Sequence, residues 1–238
     1  MSRVAIMQPY YFPYIGYFQL IAAVDLFVLY DNIKYTKKGW INRNRILQNG
    51  KDVMFSLPLK ADSDALDVCD RQVSETFDPA KLLHQLRASY HCAPFFLETM
   101  DLVKKAHACK DKNLYVFLAY ALGCVCTHLG LTTEIRISSA VPIDHTLKSE
   151  EKVLAICEAV GAKTYINSVG GVDLYSRETF ERRGVVLQFL QSTPFVYSQM
   201  RETFVPWLSI IDVLMFNPVG KVHEYLSQFD LIQGNRSA

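Results

Sequence analysis

The chain has 238 residues, 50% of them hydrophobic and 12% aromatic, with a formal net charge of +1. This length and composition exclude a disordered chain and suit one α/β domain over 1–238, with a helical insertion at about 79–130. The near-neutral charge predicts no nucleic-acid partner, and the longest apolar run, 114–126, is too short to span a bilayer, so no membrane insertion is expected.

Residues 4–7 form an apolar run that reads as a buried strand. Gln8-Pro9 ends it, because proline removes a backbone donor and restricts the residue before it. The aromatic residues Tyr10, Tyr11, Phe12, Tyr14 and Tyr17 follow. Residues 16–23 read as a helix and 25–30 as the next strand. This is a β-α-β unit, whose ligand site lies at the carboxyl ends of its strands, where 8–14 and Asp31-Asn32 fall. No basic segment, apolar stretch and cleavage site precede the first strand, so no signal peptide is expected and the chain is read as cytoplasmic. The six cysteines form no CxxC pair and fit reduced, mostly buried thiols.

Residues 33–51 carry Lys34, Lys37, Lys38, Arg43, Arg45 and Lys51 and no acid. Residues 51–59 alternate as a strand does, and 61–78 read as a polar surface excursion. Asp78-Pro79 is a cap pair that opens a helix over 79–90. Further helices are expected from Pro94 to about 108 and over 113–129. A strand over 132–137 and a helix over 148–160 follow, with Gly161 as the stop. Next come a strand over 163–167, a short helix over 173–182 and a strand over 185–190. Helices over 207–216 and 219–229 precede a polar tail from 233, read as frayed. Strands alternate with helices around a helical middle, which predicts a mostly parallel sheet flanked by helices.

Several stretches carry chemistry. In the basic loop, Lys38, Arg43 and Arg45 cluster beside Trp40, Asn42 and Asn44. Arginine forks hold carboxylate or phosphate, and an aromatic neighbour stacks a base or sugar; the alternative is a solvated loop. Tyr10, Tyr14 and Tyr17 present aromatic faces with polar tips, suited either to ligand contact or to packing under the sheet edge. Ser168, Gly170 and Gly171 form a strand-end turn where backbone approaches a phosphate closely, or a simple turn. Asp31 ends an apolar strand and reads as a base or substrate anchor, or as the cap of the next turn. Asp212 interrupts an apolar helix and needs a partner: a loop arginine, a substrate amine or a structural salt bridge. His84 and His91 share a helix without a third ligand, so no metal site is expected. The sequence names no cofactor.

These residues resemble the WbqC-like family. The matching pieces are Gln8-Pro9-Tyr10-Tyr11-Phe12-Pro13-Tyr14-Ile15-Gly16-Tyr17-Phe18, Tyr30-Asp31-Asn32 and Lys37-Lys38-Gly39-Trp40-Ile41-Asn42-Arg43-Asn44-Arg45. Asn167-Ser168-Val169-Gly170-Gly171 with Leu174-Tyr175, and Leu208-Ser209-Ile210-Ile211-Asp212, complete the set. The resemblance implies a cytoplasmic enzyme of surface-polysaccharide (O-antigen, lipopolysaccharide) biosynthesis. It points to acyl or aminoacyl transfer, such as glycyl, onto the amine of a nucleotide-linked amino sugar. Its partner would be a nucleotide-sugar substrate; the oligomeric state is left open. The site residues are then Asp31 and Asp212 as catalytic candidates, with Gln8, the tyrosines, Asn32, the basic loop and the glycine turn binding substrate. The alternatives are an adenylating or nucleotidyl-transfer enzyme, with 12–17 in the place of a His-x-Gly-His signature, or a non-catalytic binding protein of polysaccharide assembly.

Overall fold

The computed structural model describes residues 2–200 and 203–233. Its central strand is β1, Arg3–Met7. Helix α1, Ile15–Ala22, crosses to β2, Leu26–Leu29, which lies parallel beside β1 with Ala5 opposite Phe27 and Met7 opposite Leu29. A long excursion returns to the sheet as β5, Glu134–Ile137, parallel and outside β2. The chain then crosses through α5, Ser149–Ala159, to the other side of β1. There it adds β6, Thr164–Ser168, helix α6, Arg177–Arg182, and β7, Val186–Ser192. The order is β5-β2-β1-β6-β7, all parallel, with an antiparallel β8, Phe229–Gln233, on the edge. The winding direction reverses between β1 and β6, and at such a switch point the strand ends open a crevice.

Side chains alternate across the strands, so each face builds its own core. Ala5, Phe27 and Leu29 pack against α1 on one face, while Val4, Ile6 and Val28 meet Leu154, Ile156 and Phe180 of α5 and α6 on the other. The first core extends into the helical middle: α2, Pro79–Tyr90, α3, Phe96–Ala106, and α4, Leu114–His128. Asp78 caps α2 through the Ala80 amide at 2.9 Å, and Asn113 caps α4 through the Val116 amide at 3.1 Å. Gly161 ends α5 with φ of +69°, as expected of a helix stop. Among the described residues no helix is long and apolar enough to cross a membrane.

The structure departs from the sequence reading at four places. The basic stretch is not all loop: β3, Arg43–Gln48, pairs antiparallel with β4, Lys51–Ser56. Asn49 and Gly50 turn the hairpin at φ +54° and +77°, the left-handed pair that a two-residue turn requires. The 61–78 excursion is not purely a surface one, since Val68 and Val73 are buried and the Arg71 guanidinium lies 4.4 Å from the Tyr35 ring centre. The 207–216 helix starts only at the Ser209 cap, as α7, Ile210–Phe216. The 219–229 helix stops early, as α8, Val219–Leu226, and β8 follows at the sheet edge. Residues 234–238 of the polar tail lie outside the described residues.

One histidine links this core to the loop after β1. His107, buried at the end of α3, donates through Nδ1 to the Val103 carbonyl at 2.6 Å, so its neutral ring accepts the Tyr11 hydroxyl at Nε2, 2.5 Å away. Phe12, Phe77 and Phe117 surround it. Burial holds its pKa below the ordinary 6.5, against the opposing pull of the Val103 carbonyl. The unfolded chain therefore takes up a proton at a higher pH than the folded one. His107 contributes stability that is present above about pH 6.5 and is lost as pH falls through the folded value. The melting temperature is expected to drop between pH 7 and 5, and His107→Gln to make that drop smaller. Parallel pH profiles of the two proteins would refute the assignment.

Candidate functional site

The loop that follows β1 turns sharply at Phe12, whose φ is +44°. A non-glycine residue in this left-handed region is strained and needs its surroundings to hold it. Two buried side chains do so. Asn44 of β3 donates to the Phe12 carbonyl at 2.8 Å, and the Ser209 hydroxyl donates to the same oxygen at 2.7 Å. Backbone bonds from Tyr11 to Ile41 and from Ile210 to Pro13 complete the tie. Tyr10 and Tyr14 are thereby fixed on either side of the turn.

Between the ends of β1 and β6 lies a cleft of about 650 Å³. Gln8, Tyr10, Tyr14 and Tyr17 line one wall, Ser168, Gly170 and Gly171 the other, and Trp40 reaches in from the basic loop. The Tyr10 and Tyr17 rings are 5.5 Å apart, and the Tyr17 hydroxyl donates to the Gln8 carbonyl at 2.9 Å. Burial, with Tyr14 nearby, pushes the Tyr10 phenol up to about 12, so at neutral pH it carries its proton and offers a donor. Two glycines make the shape. A Cβ on Gly16 would overlap the Tyr14 ring, and one on Gly171 would lie 2.5 Å from the Asn167 amide nitrogen.

A second cleft of about 810 Å³ adjoins the first and shares Tyr30, Ile33, Leu174 and Tyr175 with it. It contains Lys34, Lys148, Lys152 and His145, with Asp67, Glu150 and Asp173. Lys152 is only 5% exposed. Its Nζ donates to the carbonyls of Asn32 and His145 at 3.2 and 3.4 Å and stands 5.2 Å from the Tyr30 ring centre. Among the described residues no carboxylate forms an ion pair with it. Burial lowers its pKa, while Asp67 and Asp31 pull it back up. His145 Nε2 donates to the Val141 carbonyl at 3.0 Å, and Nδ1 meets the Asn32 amide nitrogen at 2.9 Å.

The remaining sequence candidates have other surroundings. Asp31 is buried and accepts from Ser138 Oγ, Ser139 Oγ and the Ser139 amide at 2.7–3.0 Å. Ser138 Oγ also reaches the Asn32 side chain, which lines the second cleft. Asp212 is fully buried and accepts from Tyr90 at 2.7 Å, Tyr197 at 2.5 Å and Gln199 at 2.9 Å. Burial pushes its carboxyl up, and these three bonds pull it down. The basic loop has no acid of its own, but the fold supplies them: Arg45 pairs with Asp52 and Lys37 with Asp64, both at 2.9 Å. Arg45 also lies over Trp40 and lines a small pocket with Tyr10 and Tyr14. Asn42 bonds Tyr35 and the Leu57 carbonyl, Arg43 bonds the Gly39 carbonyl, and Lys38 is exposed; these three line neither cleft. Among the described residues no group of metal-ligating side chains gathers.

Sequence reasoning missed Lys152 and His145. Lys152 had a usable signal: it stands four residues before Ile156, on the apolar face of α5. His145 had none, being in an irregular turn.

The model of the WbqC-like protein family matches residues 8–224 of the chain. In Mycobacterium tuberculosis (strain ATCC 25618 / H37Rv), Uncharacterized protein Rv1507c is 27% identical over 229 residues, covering 95% of this chain and 98% of that protein. No solved structure matches.

The Asp212 network makes a stability prediction. Asp212→Ala takes the acceptor from the Tyr90 and Tyr197 hydroxyls and one of the two bonds from the Gln199 amide, and each buried group left unpaired costs about 1–3 kcal/mol. Urea unfolding is expected to show a loss of about 3 kcal/mol or more, and Asp212→Asn, which keeps an acceptor, a smaller one. Equal losses for the two variants would show that the hydrogen bonds are not what the carboxylate provides.

Proposed function

The chain belongs to the WbqC-like protein family, and from that membership and the paired clefts we propose a cytoplasmic transferase of surface-polysaccharide biosynthesis that forms an amide on the amine of a nucleotide-linked amino sugar. The observation that carries this reading is the buried Lys152 in the second cleft, against the Tyr30 ring that both clefts share. A buried cation that no carboxylate contacts directly is costly, even with Asp67 and Asp31 nearby, and a bound anion offsets that cost. The diphosphate of a sugar nucleotide would supply it, with Lys34 and Lys148 beside it in the same cleft.

The two compartments suit a two-part ligand. Tyr10, Tyr14, Tyr17 and Trp40 offer ring faces to sugar or base, and Gly170 and Gly171 let backbone approach a phosphate oxygen. Gln8, Ser168 and Asn32 add polar contacts. Asp31, whose oxygens already accept three bonds, acts through Ser138 and Asn32, orienting the wall that the substrate meets. Asp212 acts at a distance, by holding α7 and the segment before it. Arg45 sits at the edge of the tyrosine wall, where a further anionic group would meet it.

The reading is tested by thermal shift with amino-sugar and plain-sugar nucleotides, and with ATP and Mg²⁺. At a hundred times its dissociation constant a ligand stabilises by about 2.7 kcal/mol. An amino-sugar nucleotide is expected to raise the midpoint, and Lys152→Met, which keeps the buried stem, to abolish the rise. A rise that survives Lys152→Met would place the diphosphate elsewhere. A rise with ATP alone would favour the adenylating enzyme, and no rise with any ligand the non-catalytic binding protein.

A further inference from the structure

A separate cavity, of about 290 Å³, lies beneath the irregular segment that joins β7 to α7. Phe195, Tyr197, Phe204, Pro206, Trp207 and Val213 face into it, and none of its described lining residues is charged. The cavity is built rather than incidental. Gln199 clamps Val205 from both sides, accepting from its amide at 2.8 Å and donating to its carbonyl at 3.1 Å. Gln199 and Tyr197 are in turn anchored on Asp212.

Trp207 marks the junction with the other clefts. Its φ is +60°, the residue is 55% exposed, and its ring meets the Tyr14 ring edge-on at 6.1 Å. A bulky residue in the left-handed region is strained, and such strain clusters at ligand sites. Trp207 and Tyr14 line both this cavity and the small pocket that holds Tyr10 and Trp40. Tyr10, Tyr14 and Trp40 line the main cleft as well. The apolar cavity is thus one aromatic wall away from where the amino sugar would sit.

We propose that this cavity takes the hydrocarbon chain of an acyl donor, so that the transferred group is aliphatic. The inference rests on the transferase reading above and names its donor class. The described lining is largely apolar and aromatic, with Phe195, Pro206 and Val213 among it, and encloses about 290 Å³. An aliphatic chain gains from the same surroundings. With an acyl thioester as donor, the sugar amine attacks the carbonyl carbon. The C–N bond forms, the C–S bond breaks with its electron pair passing to sulfur, and the amine proton leaves to give the free thiol.

The test is titration calorimetry of the full chain with coenzyme A thioesters of increasing chain length. Affinity is expected to rise about fourfold per methylene until the cavity is full. Val196, on the rim, is 70% exposed, so Val196→Asp leaves the fold intact and places a carboxylate against the chain. It is expected to flatten the series while the amino-sugar-nucleotide shift persists. Trp207→Gly relieves the left-handed backbone, removes the shared wall and is also expected to flatten it. A flat series in the unmutated protein, or one that neither substitution changes, overturns the proposal. Loss of the sugar-nucleotide shift with a steep series would instead overturn the transferase reading and leave the apolar site standing.

Discussion

The Phe12 carbonyl is the point on which the rest of the site depends. It lies in a left-handed turn that costs of order 1–3 kcal/mol, and the hydrogen bonds from Asn44 and Ser209 offset that cost. Those two residues come from β3 and from the cap of α7, far apart in sequence. One oxygen therefore ties together the loop after β1, the basic hairpin and the C-terminal helices. Around it the chain has little latitude: Tyr11 is committed to His107, Tyr14 bridges to Ser209, and Tyr10 faces the cleft.

The same economy explains why both buried carboxylates point inward. A carboxylate with a nearly full set of donors is a strong positioning element, because removing it orphans each donor. Asp31 fixes the turn after β5 to the end of β2, and through Ser138 it fixes the Asn32 amide. Asp212 joins α2, α7 and the segment after β7, and Tyr90 extends that link by accepting the Leu47 amide of β3. The two carboxylates line none of the clefts themselves and act through residues that do, Asn32 and Tyr197.

Much of the fold was legible because its signals were local and redundant. The β1-α1-β2 unit carries a clear hydrophobic pattern, and the Asp78 cap and the Gly161 stop add a terminal signal to theirs. What escaped were elements whose stability is not local. β3 reads as a charged loop, since Arg43, Asn44 and Arg45 interrupt its pattern, although Asn49-Gly50 announced the hairpin. β8 is a short edge strand, half exposed, and continues the apolar spacing of α8 closely enough to be read as helix. In the site, motif density pointed to the tyrosines and the glycine turn, which the fold brings to one cleft. It also pointed to Asn42 and Arg43, which the fold spends on its own carbonyls. Motif density marks where a chain is constrained, without separating contact with ligand from support of the contact.

Charge placement makes that separation. The cations of the basic loop had seemed unopposed because the acids that meet them, Asp52 and Asp64, come from later in the chain. Exposed pairs of this kind contribute little to stability, and they leave the loop with less charge to offer an anion than its sequence implies. Lys152 is the reverse case: one cation in an apolar stripe, buried, bonded to two neutral carbonyls and an aromatic face. A carbonyl stabilises an ammonium without neutralising it, so the positive charge remains directed into the second cleft. A helix that needed only packing at this position would do better with leucine or methionine, which fill similar volume without the desolvation cost. The proposed anion, arriving from solution, would offset that cost.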